Sequence, residues 1–251
     1  MARLELPEVT LCAATSVNIA STVAALQASM DRVDFGEVLL FTDLEPRNLP
    51  EGIRVVPIPR LESGPAYSEF LLGGLGDYVR TSHCLVIQWD GFVLDAANWD
   101  PEFLDFDYIG APWPQFTDGH DVGNGGFSLR SRRLLEACRD RRFVASHPED
   151  LAICRLNRPL LELEHGLRFA ARATAQRFAF ERTPATRPTF GFHGVFNMIS
   201  AVGPERFWEI YRSLDDPSTA FVDYWPLMRQ LGRGPHALRR RLLLTLDRLR
   251  R

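Results

Sequence analysis

Lysine is missing from all 251 residues, and every one of the 29 basic side chains is arginine. GC-rich codon usage accounts for this without a functional cause. The absence still removes the residue a nucleotidyl-transfer enzyme would often use to hold phosphate. Cysteine is scarce: Cys12, Cys84, Cys138 and Cys154 are scattered, with no CxxC pair and no metal-ligand spacing. Cys12 and Cys84 sit inside apolar strand-like runs and read as small core fillers. No run reaches the roughly 20 apolar residues of a membrane-spanning helix. The start, Met1-Ala2-Arg3-Leu4-Glu5-Leu6-Pro7, has no hydrophobic stretch behind its arginine, so it does not read as a signal peptide. Together these features predict a cytoplasmic chain. A net charge of -3 and a pI near 6.1 give no global argument for nucleic acid as a partner. There is no internal repeat and no low-complexity segment.

The chain is 45% hydrophobic, enough for a large core in one domain. Its first half alternates two patterns. Val9–Ala14, Val38–Phe41, Ile53–Ile58 and Cys84–Ile87 are continuous apolar runs that predict strands, the proline-bounded third lying nearest an edge. Between them, Asn18 is placed to cap a helix through about Met30, and Tyr67 to Val79 reads as helical despite Gly73, Gly74 and Gly76. Apolar strands alternating with helices predict an α/β fold with a mostly parallel, Rossmann-like sheet covered on both faces. Later, Arg130–Arg139 and Glu149–Leu163 read as helices. The expected division is a domain over 1–203 and a helical extension over 204–251. In that extension Leu238, Leu242, Leu246 and Leu249 share one helical face, ringed by Arg239, Arg240, Arg241, Arg248, Arg250 and Arg251. Either the leucines pack the helix onto the domain, or the helix rests on anionic lipid at the inner face of a membrane.

Four segments carry chemistry. Gln88-Trp89-Asp90-Gly91-Phe92 delivers a carboxylate to the end of the fourth strand, where ligands bind in open α/β sheets. Gly123-Asn124-Gly125-Gly126-Phe127-Ser128 is too glycine-dense for a helix or a central strand and lets backbone approach a ligand or adopt positive φ. Trp113, between two prolines, offers a wall on which a sugar ring could stack. His147-Pro148-Glu149-Asp150 puts two acids in a first helical turn; they either answer the helix dipole or supply a general base, with Asp150 preferred over Glu149. His193, in Phe190-Gly191-Phe192-His193-Gly194, is placed for metal or diphosphate contact. Arg130 and Arg132 face either phosphate or solvent. A sugar-nucleotide donor would need a divalent cation, Mn²⁺ or Mg²⁺, held by Asp90 and His193, to neutralise its leaving diphosphate.

In combination these motifs resemble a bacterial family of unassigned function grouped with GT-A glycosyltransferases, over roughly residues 8 to 200. The resemblance implies a GT-A-like nucleotide-binding fold, a nucleotide-sugar donor, a glycan or lipid-linked acceptor, and metal assistance. On it, Asp90 matches the last position of the Asp-x-Asp motif, and Gly125 and Gly126 the acceptor-side loop. Glu149 and Asp150 match the acidic pair that supplies the base in inverting members, and His193 the late metal ligand. Thr15 and Ser16 fall where the nucleoside lies. Gln88 replaces the motif's first acid, so the metal is either weakly held or absent. Three functions follow: a glycosyltransferase, a nucleotidyltransferase, or a nucleotide-sugar-binding module without turnover.

Overall fold

The computed structural model describes residues 3–46 and 49–250. Met1, Ala2 and Arg251, used above in reading the start and the basic tail, lie outside the described residues. The strands β1 (Leu4–Ala14), β2 (Val33–Thr42) and β3 (Ile53–Pro57) pair in parallel, with helix α1 (Ile19–Met30) crossing from the first to the second. Segment α2 (Gly64–Glu69) runs through a π turn at Phe70–Gly74 into a 3₁₀ turn at Leu75–Asp77 and leads to β4 (His83–Ile87). The predicted helical stretch is therefore present, but Gly73 and Gly74 fall in the wider turn and Gly76 in the tighter one. β4 returns to the other side of β1. With β5 (Tyr108–Ile109) and β6 (Phe127–Ser131) the sheet order is β3-β2-β1-β4-β6-β5.

Alternation along the strands explains why these runs are apolar throughout. Leu11 and Ala13 of β1, Val38 and Leu40 of β2, and Leu85 and Ile87 of β4 join one buried cluster with Ala25 and Leu26 of α1. Their neighbours Cys12, Ala14, Leu39, Phe41, Cys84 and Val86 join a second cluster with Leu71 and Leu75 on the opposite face. A strand buried on both sides has no polar face to show. The chain winds away from β1 in both directions, so the carboxyl ends of β1 and β4 flank a switch point.

β6 corrects one expectation. Arg130 does not open a helix but lies in a strand antiparallel to β4 and β5, wholly buried, and α3 (Arg132–Ala137) begins two residues later. Phe127 and Ser128 likewise belong to this interior strand, leaving only Gly123–Gly126 as the loop. Asn18 also departs from its expected role: it stands before α1 in the left-handed region without a side-chain cap. Its amide instead exchanges two 2.8 Å hydrogen bonds with the backbone of Asp216.

The helical stretch from Glu149 is broken into α4 (Glu149–Leu151), a π turn at Ala152–Leu156 and α5 (Arg158–Leu163). Helix α6 (Arg172–Phe178) leads into the short strand β7 (Ala179–Phe180), paired in parallel with β8 (Gly191–Phe192). Helix α7 (Val195–Arg212) is interrupted at Gly203, whose φ is 83°, just ahead of Pro204. Beyond that break Phe207, Ile210 and Tyr211, then Tyr224, Leu227 and Leu231 of α8 (Tyr224–Leu231) and Leu244 of α9 (Ala237–Leu249), all join the main cluster. The segment after residue 203 thus completes the same core. Of the two readings of α9, packing onto the domain through its four leucines does not hold: Leu238, Leu242, Leu246 and Leu249 are exposed, and Leu244 with Arg240 is buried instead.

Candidate functional site

A cleft of about 530 Å³ opens at the carboxyl ends of β1 and β4. Thr15 and Ser16 line it from the end of β1, Gln88 and Trp89 from the end of β4. Asn124, Gly125 and Gly126 come from the loop before β6, Glu149 and Asp150 from α4, and His193 from the turn after β8. The structure therefore brings together nine of the eleven site residues singled out from sequence, drawn from points almost 180 residues apart in the chain. Two stand apart from the lining. Asp90 is buried just behind His193, and Trp113 is buried beneath Gly123 with its ring against Phe116. Trp113 is thus not the exposed wall expected of it; among the described residues, Trp89 and Tyr67 line the cleft. A second cavity of about 510 Å³, between α1 and α7, shares Trp89 but none of the other groups.

His193 is the hub of the floor. Its Nδ1 lies 3.1 Å from Glu181 Oε1, and its Nε2 lies 3.2 Å from Gln88 Oε1 and 3.4 Å from Asp90 Oδ1. Burial alone would lower its pKa, but the carboxylates of Asp90 and Glu181 hold it up to about 10. Burial likewise pushes Asp90 upward, and the imidazolium beside it overrides that, leaving the carboxyl below its ordinary range. Gln88 carries the contact on, donating from Nε2 to Tyr67 Oη at 3.0 Å.

The glycine loop is shaped by these groups. A Cβ at Gly125 would collide with Glu149 Oε1 and one at Gly126 with His193 Nε2. The close approach that requires glycine is therefore to the protein's own side chains. Positive φ falls on Asn124, at 68°, whose Oδ1 accepts from the Gly126 N–H at 3.1 Å. Asn124 lines the cleft, but its Nδ2 is buried and has no partner among the described residues.

The two acids of α4 have separate surroundings. Glu149 is buried and takes a 3.0 Å hydrogen bond from Arg130 Nη2. Arg130 in turn donates to Ser128 Oγ and the Gly125 carbonyl, with its guanidinium 5.6 Å from the centre of the Tyr108 ring. Glu149 is also reached by Ser68 Oγ at 3.3 Å. Asp150 lies in the cleft wall, accepting from the N–H groups of Gly125 at 3.1 Å and Leu151 at 2.8 Å. Burial, and then the charge of Glu149, raise its pKa. A carboxylate raised in this way holds a proton more readily than a free one.

Sequence reasoning missed Tyr67 and Glu181. Glu181 follows the apolar Ala179-Phe180, and an acid closing an apolar run is the signal that singled out Asp90. Tyr67 was hidden among glycines read only as helix. Arg130 fits neither of its two readings, since it faces Glu149 and not phosphate or solvent.

Among solved structures, the chain is similar to the apo-form glycosyltransferase GlyE of Streptococcus pneumoniae TIGR4, at 13% identity and a TM-score of 0.40. That match covers 89% of this chain and 63% of GlyE. A second structure of GlyE matches at 13% identity and a TM-score of 0.41, over 86% of this chain and 62% of that one. The chain thus spans less than two thirds of these proteins. No curated protein matches it. A family model does, over residues 53–193, more than half of the chain and most of the cleft just described. The chain belongs to the family described as protein of unknown function (DUF5672).

Proposed function

We propose that the protein is a glycosyltransferase that moves a sugar from a nucleoside-diphosphate donor to a glycan or lipid-linked acceptor. One observation carries the reading: Thr15, Ser16, Gln88, His193, Asn124 and Asp150, scattered in sequence, line one cleft at the strand-order switch point. In this reading Thr15 and Ser16 meet the nucleoside, and His193, backed by Asp90, faces the diphosphate. Asp150 removes the proton of the acceptor hydroxyl as that oxygen attacks the anomeric carbon, which predicts inversion. Glu149 is the counter-ion of Arg130, which leaves the role of base to Asp150.

A divalent cation at the floor of this cleft would have to displace the proton that His193 carries between Asp90, Gln88 and Glu181. Asp90 Oδ1 is buried and accepts no hydrogen bond, and His193 Nε2 stands 3.4 Å from it. Neighbouring ligands of a small octahedral cation are about 3 Å apart, and such ions keep several positions for water and phosphate. Among the described residues no group of three or more histidine, cysteine, aspartate or glutamate side chains is arranged for a metal. Mn²⁺ or Mg²⁺ there would be held by Asp90 and a neutral His193 as a pair, with phosphate and water completing the shell. Bound there, the ion would supply Lewis-acid neutralisation of the departing diphosphate.

A second reading, nucleotide-sugar binding without turnover, is favoured by Gln88, whose amide is engaged by both Tyr67 and His193. Thermal-shift screening of nucleoside-diphosphate sugars with and without Mn²⁺, followed by transfer assays, separates the two. Stabilisation by one donor, with turnover that Asp150→Asn lowers by roughly 10²–10⁴, supports the transferase. Stabilisation without any turnover supports the binding module. No response to any nucleotide sugar removes both.

A further inference from the structure

Helix α9 presents a face that the rest of the molecule does not use. It is fastened to the body by buried Leu244 and by Arg240, whose guanidinium reaches Glu205 and the carbonyl of Pro204. At about 3.6 residues per turn, Leu238, Leu242, Leu246 and Leu249 fall on the side opposite that attachment. Their exposures of 84%, 59%, 37% and 76% bear this out. The same spacing puts arginines along both margins of the stripe, Arg241 and Arg248 on one side, Arg239 and Arg250 on the other. Among the described residues Arg239, Arg241 and Arg248 form no ion pair; Arg248 lies over the Tyr224 ring. Beside α9, joined to it by a 2.8 Å hydrogen bond from Tyr224 to Thr245, α8 adds Trp225 at 72% exposure, with Val222 at 77% just before it.

The chemistry of this surface selects its occupant. A row of leucines bordered on both sides by arginine matches the acyl–headgroup boundary of an anionic bilayer: the apolar chains sink while guanidinium groups meet phosphate. An exposed tryptophan favours the same depth. A second copy of the chain fits poorly. Two such stripes face to face would press arginine margins together, and the single acid of α9, Asp247, is engaged by Tyr211 and Arg212 toward the body.

We infer that α9 docks the protein in the plane of an anionic phospholipid bilayer, leucine stripe inward. The docking itself stands apart from the reading of the cleft.

The experiment is flotation of the full chain with vesicles of phosphatidylcholine, with and without phosphatidylglycerol. Binding is expected only with the anionic lipid and should weaken as salt rises. Leu238→Glu/Leu242→Glu should lower it by at least about tenfold, since each leucine loses its burial in the bilayer. Arg239→Gln/Arg241→Gln should reduce the preference for anionic lipid. These exposed positions leave the fold intact, so melting temperature and donor hydrolysis in solution should match the unaltered chain. Failure of that chain to bind anionic vesicles overturns the proposal, as does undiminished binding by the double glutamate variant. A lipid-free dimer that this variant dissolves would assign the stripe to a second copy and overturn it equally.

Discussion

Replacing Arg130 with methionine tests whether Glu149 is a structural counter-ion. Arg130 is wholly buried and supplies Glu149 with its 3.0 Å ionic hydrogen bond. The substitution leaves a buried carboxylate with one hydroxyl donor, Ser68, at 3.3 Å. Breaking a buried pair in this one-sided way costs about 3–5 kcal/mol. The loss has a ceiling, because the orphaned side chain can take up a proton. From the ordinary glutamate pKa, neutralisation at pH 7 costs about 4 kcal/mol, and at pH 5 about 1. In the variant the protonated form is favoured by folding, so its stability is retained in acid and lost as pH rises. Urea unfolding of Arg130→Met should therefore show a deficit of about 3–4 kcal/mol at pH 7 that shrinks toward about 1 kcal/mol at pH 5. Adding Glu149→Leu should recover most of it, since an apolar pair of similar volume is often as stable as the ions it replaces. A deficit below about 1 kcal/mol at pH 7, or no recovery in the double variant, would refute the assignment.

Other outcomes follow from the same geometry. Asp150→Asn should leave donor binding by calorimetry unchanged while transfer falls by roughly 10²–10⁴; weakened binding would place Asp150 on the donor side instead. The base works deprotonated and its pKa is raised, so kcat/KM should fall on acidification at a pH above the ordinary carboxylate range. The same raised pKa makes Asp150 stabilising when protonated and costly when ionised. Asp150→Asn should thus gain most in melting temperature, relative to the unaltered chain, near neutral pH and least in acid. Gly126→Ala drives a methyl into the His193 ring and should cost about 1–3 kcal/mol by denaturant titration; a neutral effect would mean the loop yields freely.

The sheet was largely legible because β1, β2 and β4 are buried on both faces, which writes them as unbroken apolar runs. β6 was not, because Ser128 and Arg130 occupy its second face. A buried arginine looks like a surface one until Glu149 is found opposite. The site was legible where an acid or histidine closes an apolar run beside glycine, as at His193 in the cleft and Asp90 buried behind it. It was misread at Trp113, whose proline neighbours suggest an exposed platform while Gly123 covers the ring. The leucines of α9 showed a correct helical period, but period alone does not say which way an amphipathic face turns.

The interruption of α7 has a consequence beyond its own turn. Without it, the residues from Pro204 to Arg212 would prolong the first half by about 13 Å along one axis. Phe207, Ile210 and Tyr211 would then be carried past the cluster they now close. A φ of 83° at Gly203 admits other side chains only with strain, so one backbone torsion steers the final fifth of the molecule back toward the sheet. The outward aim of the leucine row is inherited from that bend.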